Sequence, residues 1–341
     1  MKWNKMQPPF ESGKGARFSS FALLNLSAGL WFSEARRIPV GGQAVIEGVL
    51  MKGINYWGLA VRQPNGEIFR EKWGNSSRTK RYPWKLPVLR GFITMIEMMT
   101  TGFKALSHSA EIALSDSGEK MTTRDLILAV AVGIFAVVGL FIAFPLWASE
   151  KLGTFFPLSP LALNVLEGVL RAAVFIVYVA AIGMMKDIQE VFRYHGAEHK
   201  TINAFERELE LTPESVATQS RIHPRCGTSF LLIAILISIA VFSAIGKGGV
   251  VWRVGSRVVL LPLVIGISYE IIRLTSRSGI LGKIFMYPVL SLQYLTTREP
   301  GSGQIEVALA SLDEALDLEL NQSSKLSSNS QDVPVQGRTA E

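Results

Sequence analysis

Apolar residues along this chain fall into blocks whose lengths and spacings differ from region to region. Residues 125–148 (DLILAVAVGIFAVVGLFIAFPLWA) and 228–245 (TSFLLIAILISIAVFSAI) are apolar runs without an internal charge, long enough for a bilayer. Two further runs are less uniform. Residues 162–185 carry Glu167 and Arg171 near their start, and 258–274 end with Glu270 and Arg273. The pattern predicts four transmembrane helices. Within them the charges are placed to pair, Glu167 with Arg171 at i,i+4 and Glu270 with Arg273 at i,i+3, offsetting each other's burial cost.

Ahead of these blocks the period changes. From Val40 the runs Gln43–Met51, Tyr56–Arg62 and Glu67–Trp73 are short and β-like, and Pro64-Asn65-Gly66 supplies the fixed and positive φ values a hairpin needs. A small antiparallel β domain over 40–86 is expected. Glu47 is then a carboxylate within an otherwise apolar strand, facing outward or reaching toward a site. Residues 87–107 open with a proline and place Arg90, Glu97 and Lys104 among apolar positions. This is the pattern of an amphipathic helix lying on a bilayer, with a re-entrant segment as the alternative, and the interfacial region extends to about residue 124.

The ends read differently again. Residues 1–39 mix Pro, Gly, Ser and basic residues around an apolar patch at Phe18–Phe32, and predict a poorly ordered or membrane-surface segment. The patch starts late and is followed by charges, so a cleaved signal peptide is not expected. Over 275–320 a second non-membrane segment carries Leu309, Leu312, Leu316 and Leu320 at helical spacing with carboxylates and no basic residue among them, an acidic amphipathic helix that needs a surface to cover. Residues 321–341, rich in Ser and Gln, have too little apolar content to fold.

Composition agrees with the membrane reading: 48% of residues are hydrophobic and only 18% charged. The net charge of +7 comes from basic residues that flank the apolar blocks, so the bilayer and its anionic headgroups are the expected partners and nucleic acid is not. Residues 186–227 hold six of them, Lys186, Arg193, Lys200, Arg207, Arg221 and Arg225, against Lys151 alone in the connection 149–161. The positive-inside rule therefore places this loop and both termini in the cytoplasm of a multi-pass cell-membrane protein.

That loop also carries the candidate chemistry. The chain has four histidines and one cysteine, and His195, His199, His223 and Cys226 fall within it. His195 and His199 are i and i+4, about 40° apart on one helix face, with Glu198 about 60° to the other side of His195. This is a His-x-x-Glu-His order, which suits two imidazoles on one divalent ion, zinc by ligand type, with Glu198 as general base. Cys226 or His223 would supply the third ligand. If both bind, four protein ligands close the site and the metal is structural. Gly196 weakens the helix on which the pairing depends, and Thr212-Pro213-Glu214 has the form of a helix start that would fold the loop into a hairpin over 186–227. A lone cysteine excludes an internal disulfide, leaving Cys226 as ligand, free thiol or buried apolar group.

The runs GGQAVIEGVLMKG (41–53), YHGAEHKTINAFE (194–206) and RIHPRCGTSFLL (221–232) together resemble the YqhQ-like family of bacterial membrane proteins. The resemblance spans about Val40 to about Leu312. It implies a multi-pass membrane protein and brings the family's common label of metal-dependent enzyme, but no reaction with it; from the apolar runs themselves the fold is expected to be that of a mainly α integral membrane protein with about four transmembrane helices and a small N-terminal antiparallel β domain. Two functions follow from the residues: a hydrolase-like metal-dependent enzyme at the cytoplasmic membrane face, or a non-enzymatic scaffold or transport-related protein in which the His/Cys cluster is structural.

Overall fold

The computed structural model describes residues 40–114, 123–156, 158–245, 249–275 and 286–329, all within one compact unit that begins at Pro39. The expectation for residues 1–39 lies outside the described residues. Strands β1 (Gly41–Val45), β2 (Gly48–Lys52), β3 (Tyr56–Arg62) and β4 (Ile68–Gly74) form one antiparallel sheet in sequence order. The run expected as a single strand over 43–51 is a hairpin. Its two strands close as Val45 pairs with Gly48, and Glu47 sits in the turn at φ 51°. The apolar run resumes directly after the turn, which is why sequence pattern alone joins the two strands.

Both faces of the sheet are covered. Helix α1 (Leu89–Ala113) lies on one, where Val45, Leu50, Trp57, Leu59 and Val61 form a core with Ala105. On β3, Trp57, Leu59 and Val61 alternate with Gly58 and Ala60, as the period of two requires. The opposite face takes the long C-terminal helix: the Ser311 hydroxyl donates to the Gly58 carbonyl at 2.9 Å, and Ile305, Leu312 and Leu316 are buried. The surface that the acidic helix needed is thus this sheet, and the β region shares its core with helices from both ends of the chain. The backbone of the C-terminal helix runs over Ser302–Asn329, so helix continues past Asn321, where an unfolded tail was expected. Residues 330–341 lie outside the described residues.

Between these ends come α2 (Thr123–Val138), a π-turn at Gly139–Ala143, α3 (Phe144–Phe155), α4 (Pro160–Ile182), α5 (Lys186–Glu206), α6 (Pro213–Ala217), α7 (Gly227–Ser243), α8 (Val250–Thr275), α9 (Gln293–Thr296) and the C-terminal helix, α10. Among the described residues, three helices are long and apolar enough to cross a membrane: Ile127–Phe155, Pro160–Ile182 and Val254–Thr275. The run at 228–245 forms α7, apolar throughout but only 17 residues long. The expected loop 149–161 is shortened, because helix continues to Phe155. Pro160 follows the Ser159 cap, whose hydroxyl accepts from Ala162 N at 3.2 Å.

Charges inside the apolar helices are paired, and partners from other elements join them. Arg171 Nη2 donates to Glu167 Oε1 at 2.6 Å as the spacing predicts, but Arg257 of α8 joins the same carboxylate, with Nε 3.0 Å from Oε1. Arg171 also donates to the Phe141 carbonyl at 2.9 Å, within the π-turn. Glu270 is held by Arg90 of α1, whose Nε lies 2.6 Å from Oε1. That link, together with the packing of Gly91 against Tyr269, binds α1 to α8.

Candidate metal centre

Over 186–227 the chain forms two helices joined by a turn. Helix α5 begins at Lys186, and Thr212 caps α6 through Ser215 N at 3.3 Å. The chain then turns back so that Cys226 stands at the N-cap of α7. His195, His199 and Cys226 come together there, each offering one ligand atom and all three atoms within 4.8 Å of one another. The Cys226 sulfur is 3.2 Å from His195 Nε2, and the two imidazole centroids of α5 are 4.4 Å apart.

Both rings are oriented from behind. His195 Nδ1 meets the Thr296 carbonyl at 2.9 Å, and His199 Nδ1 meets the Arg221 carbonyl at 2.6 Å. A carbonyl accepts only from N–H, so these contacts put the proton on Nδ1 and leave each Nε2 lone pair for a ligand. Neither carbonyl has a sequence signature, since any residue supplies one. The tertiary path does have a residue requirement: the 296–300 segment crosses α5 at Gly196, where a Cβ would overlap the Arg298 carbonyl oxygen. Gly196, a weak point in the helix by propensity, is the position that lets Thr296 reach His195.

Glu198 lies in the same buried region, 4% exposed, and its Oε2 has no hydrogen-bond partner among the described residues. Its other oxygen sits against β1, where a Cβ on Gly42 would lie only 3.0 Å away. His223 is turned away. Its Nε2 faces Glu206 at 3.4 Å, its backbone N–H donates to Gln293 Oε1 at 2.9 Å, and Arg225 shares the Glu206 carboxylate. His223 therefore stands outside the His195, His199 and Cys226 group, in a neighbouring polar cluster with its ring 5.8 Å from that of His199. Glu47 accepts from the Tyr194 hydroxyl at 3.1 Å, and His108 pairs with Glu71 at 3.1 Å.

The electrostatics follow from this packing. Burial disfavours the His195 imidazolium, but the adjacent Cys226 thiolate outweighs it, with help from Glu198 and the Thr296 carbonyl, and His195 is raised to about 9. Burial also opposes the Cys226 thiolate, yet His195 and His199 hold the thiol well below its ordinary value. Burial pushes Glu198 up against the pull of His199 and His195. His223 is lowered, chiefly by burial, with Glu206 opposing. Two nitrogen donors, a thiolate and a carboxylate oxygen without a hydrogen-bond partner among the described residues are the donor set of a zinc-type site, so the residues present fit such an ion.

Fold and site thus define a largely helical protein with long apolar helices, in which a His2Cys group is held between α5, the start of α7 and a small covered sheet. The chain belongs to the family described as Protein of unknown function (DUF1385), which matches residues 86–318. It is 35% identical over 295 residues to the Uncharacterized protein YqhQ of Bacillus subtilis (strain 168), a match that covers 82% of this chain and 92% of that protein. No solved structure matches.

Proposed function

We propose that this is a multi-pass membrane protein that holds a divalent metal, zinc by donor type, through His195, His199 and Cys226, and uses Glu198 as general base in a hydrolase-type reaction at the cytoplasmic membrane face. The observation that carries this reading is the convergence of one ligand atom each from His195, His199 and Cys226 within 4.8 Å, with both Nδ1 atoms engaged by carbonyls. A bound divalent ion would supply Lewis-acid chemistry and lower the pKa of water. The chain's own part is to fix the imidazole tautomers, to hold sulfur as thiolate and to accept a proton at Glu198 Oε2. The raised Glu198 pKa makes it a stronger base than an exposed carboxylate.

A second reading rests on the burial of Glu198. As a fourth ligand it would close the site, and the metal would clamp α5 to the start of α7 in a non-enzymatic scaffold or transport-related protein. The two separate on purified full-length protein in detergent, by elemental analysis, X-ray absorption and complementation of a deletion strain with Glu198→Gln. The enzyme reading expects one metal per chain with three protein ligands, retained by Glu198→Gln while complementation is lost. The clamp reading expects four protein ligands, with metal and folded yield both lower in Glu198→Gln. Absence of stoichiometric metal would sink both.

The parity of the chain supports four crossings. The sheet precedes the first long apolar helix and α10 follows the last, yet they pack on each other, and α5 packs on both. Segments in contact outside a bilayer lie on one side of it, so crossings between them come in even numbers. Helices α2–α3 and α4 separate the sheet from α5, and α7 and α8 separate α5 from α10. Helix α7, about 25 Å long, is then a crossing that local thinning of the bilayer accommodates. The excess of Lys and Arg over 186–227 favours the cytoplasm for this shared side.

A further inference from the structure

Residues 80–87 are all exposed, and together with Arg78 they join four cations to two interface-seeking aromatics. Tyr82 is 72% and Trp84 41% exposed, and Arg78, Lys80, Arg81 and Lys85 are exposed around them. No acidic residue falls between Glu71 and Glu97. Glu97 itself is engaged by the Ser77 hydroxyl at 2.8 Å and the Arg78 N–H at 2.7 Å, and Arg90 is taken by Glu270. The segment continues into α1, whose outer face exposes Ile96, Met99, Phe103 and Leu106 at spacings of three and four, while its inner face covers the sheet.

From this arrangement we infer that residues 78–89 and the outer stripe of α1 form a docking face for the anionic headgroups of a lipid leaflet. Tyr and Trp favour the boundary between hydrocarbon and water, cations beside them meet phosphate, and the apolar stripe takes the acyl boundary. Nucleic acid or an acidic protein segment would use the cations but leave the Ile96–Leu106 stripe uncovered. Position argues the same way. Val88 lies against Gly266, Arg90 against Glu270, and Met95 packs with Phe230 and Ile272, so the face stands beside the C-terminal half of α8 and the first turn of α7. Cys226 caps that end of α7, which brings the His2Cys group to the same leaflet.

The test uses full-length protein in two forms. Native mass spectrometry in detergent compares phosphatidylglycerol with phosphatidylcholine for the wild type and for Lys80→Gln, Arg81→Gln, Lys85→Gln combined. Loss of three surface cations is expected to weaken phosphatidylglycerol binding about a hundredfold and leave phosphatidylcholine binding unchanged. Tryptophan fluorescence in mixed vesicles of these two lipids, wild type minus Trp84→Phe, isolates Trp84. That signal should be quenched by acyl-brominated lipid and protected from aqueous iodide. Equal phosphatidylglycerol binding by the triple variant, or a Trp84 signal that iodide quenches and brominated lipid does not, would overturn the inference, as would tighter retention of an added oligonucleotide than of the anionic lipid.

Discussion

At the scale of single residues, the centre depends on positions that do not themselves bind. A Gly196→Ala change places a methyl against the Arg298 carbonyl. It should push the 296–300 segment off α5 and cost about 1–3 kcal/mol, as overpacking does. The readouts are the thermal midpoint and the metal content, which should fall together as Thr296 withdraws from His195. Titration gives a second prediction. The folded His195 is raised to about 9, above the unfolded value near 6.5, so its contribution is full below the unfolded pKa and is lost as pH rises through the folded one. Metal-stripped protein should therefore lose the His195 contribution between about pH 6.5 and about 9, seen as a falling thermal midpoint. The Cys226→Ala variant, whose His195 has no thiolate beside it, should show less of that fall. Because an imidazole must be neutral to bind, loading zinc at pH 7.5 should release a proton, measurable as a dependence of the binding heat on the buffer.

Among the elements, the cluster of Glu167, Arg171 and Arg257 ties α4 to α8, and Arg171 ties both to the π-turn between α2 and α3. Glu167→Gln keeps the shape and removes the charge that two guanidinium groups share. A loss of about 3–5 kcal/mol is expected, read by denaturation in detergent. Replacing all three side chains by Met should recover much of it, since the cost lies in leaving a buried charge without its partner. Of the pairings read from spacing, Glu167 with Arg171 was legible because both lie on one helix. Arg90 with Glu270 was not, because its partners are 180 residues apart and meet only through the packing of α1 on α8.

For the whole molecule, parity makes a topological prediction. A reporter inserted at the Gly66 turn, another at Glu208–Leu211 and a third at the C-terminus should all report the cytoplasm. One placed after Phe156 should report the opposite side. If Gly66 and Glu208–Leu211 fall on opposite sides, the four-crossing arrangement fails.

The sequence by itself determined the elements and the family, because both are written in local patterns. The change from period two to long apolar runs marks where sheet gives way to apolar helices, and the runs at 41–53, 194–206 and 221–232 identify the relatives. It also put His195, His199 and Glu198 on one helix and Cys226 within reach of them. It could not join Val45 and Gly48 as a hairpin, because the apolar run resumes directly after Glu47 and reads as one strand. Nor could it decide which of His223 and Cys226 joins the two imidazoles, since only two residues of chain separate them and either could swing inward. The tertiary structure decided that, through contacts between parts of the chain that sequence spacing does not connect. Glu206 and Gln293 draw His223 aside, the start of α7 presents the Cys226 sulfur, and the Thr296 and Arg221 carbonyls turn the two imidazoles toward it.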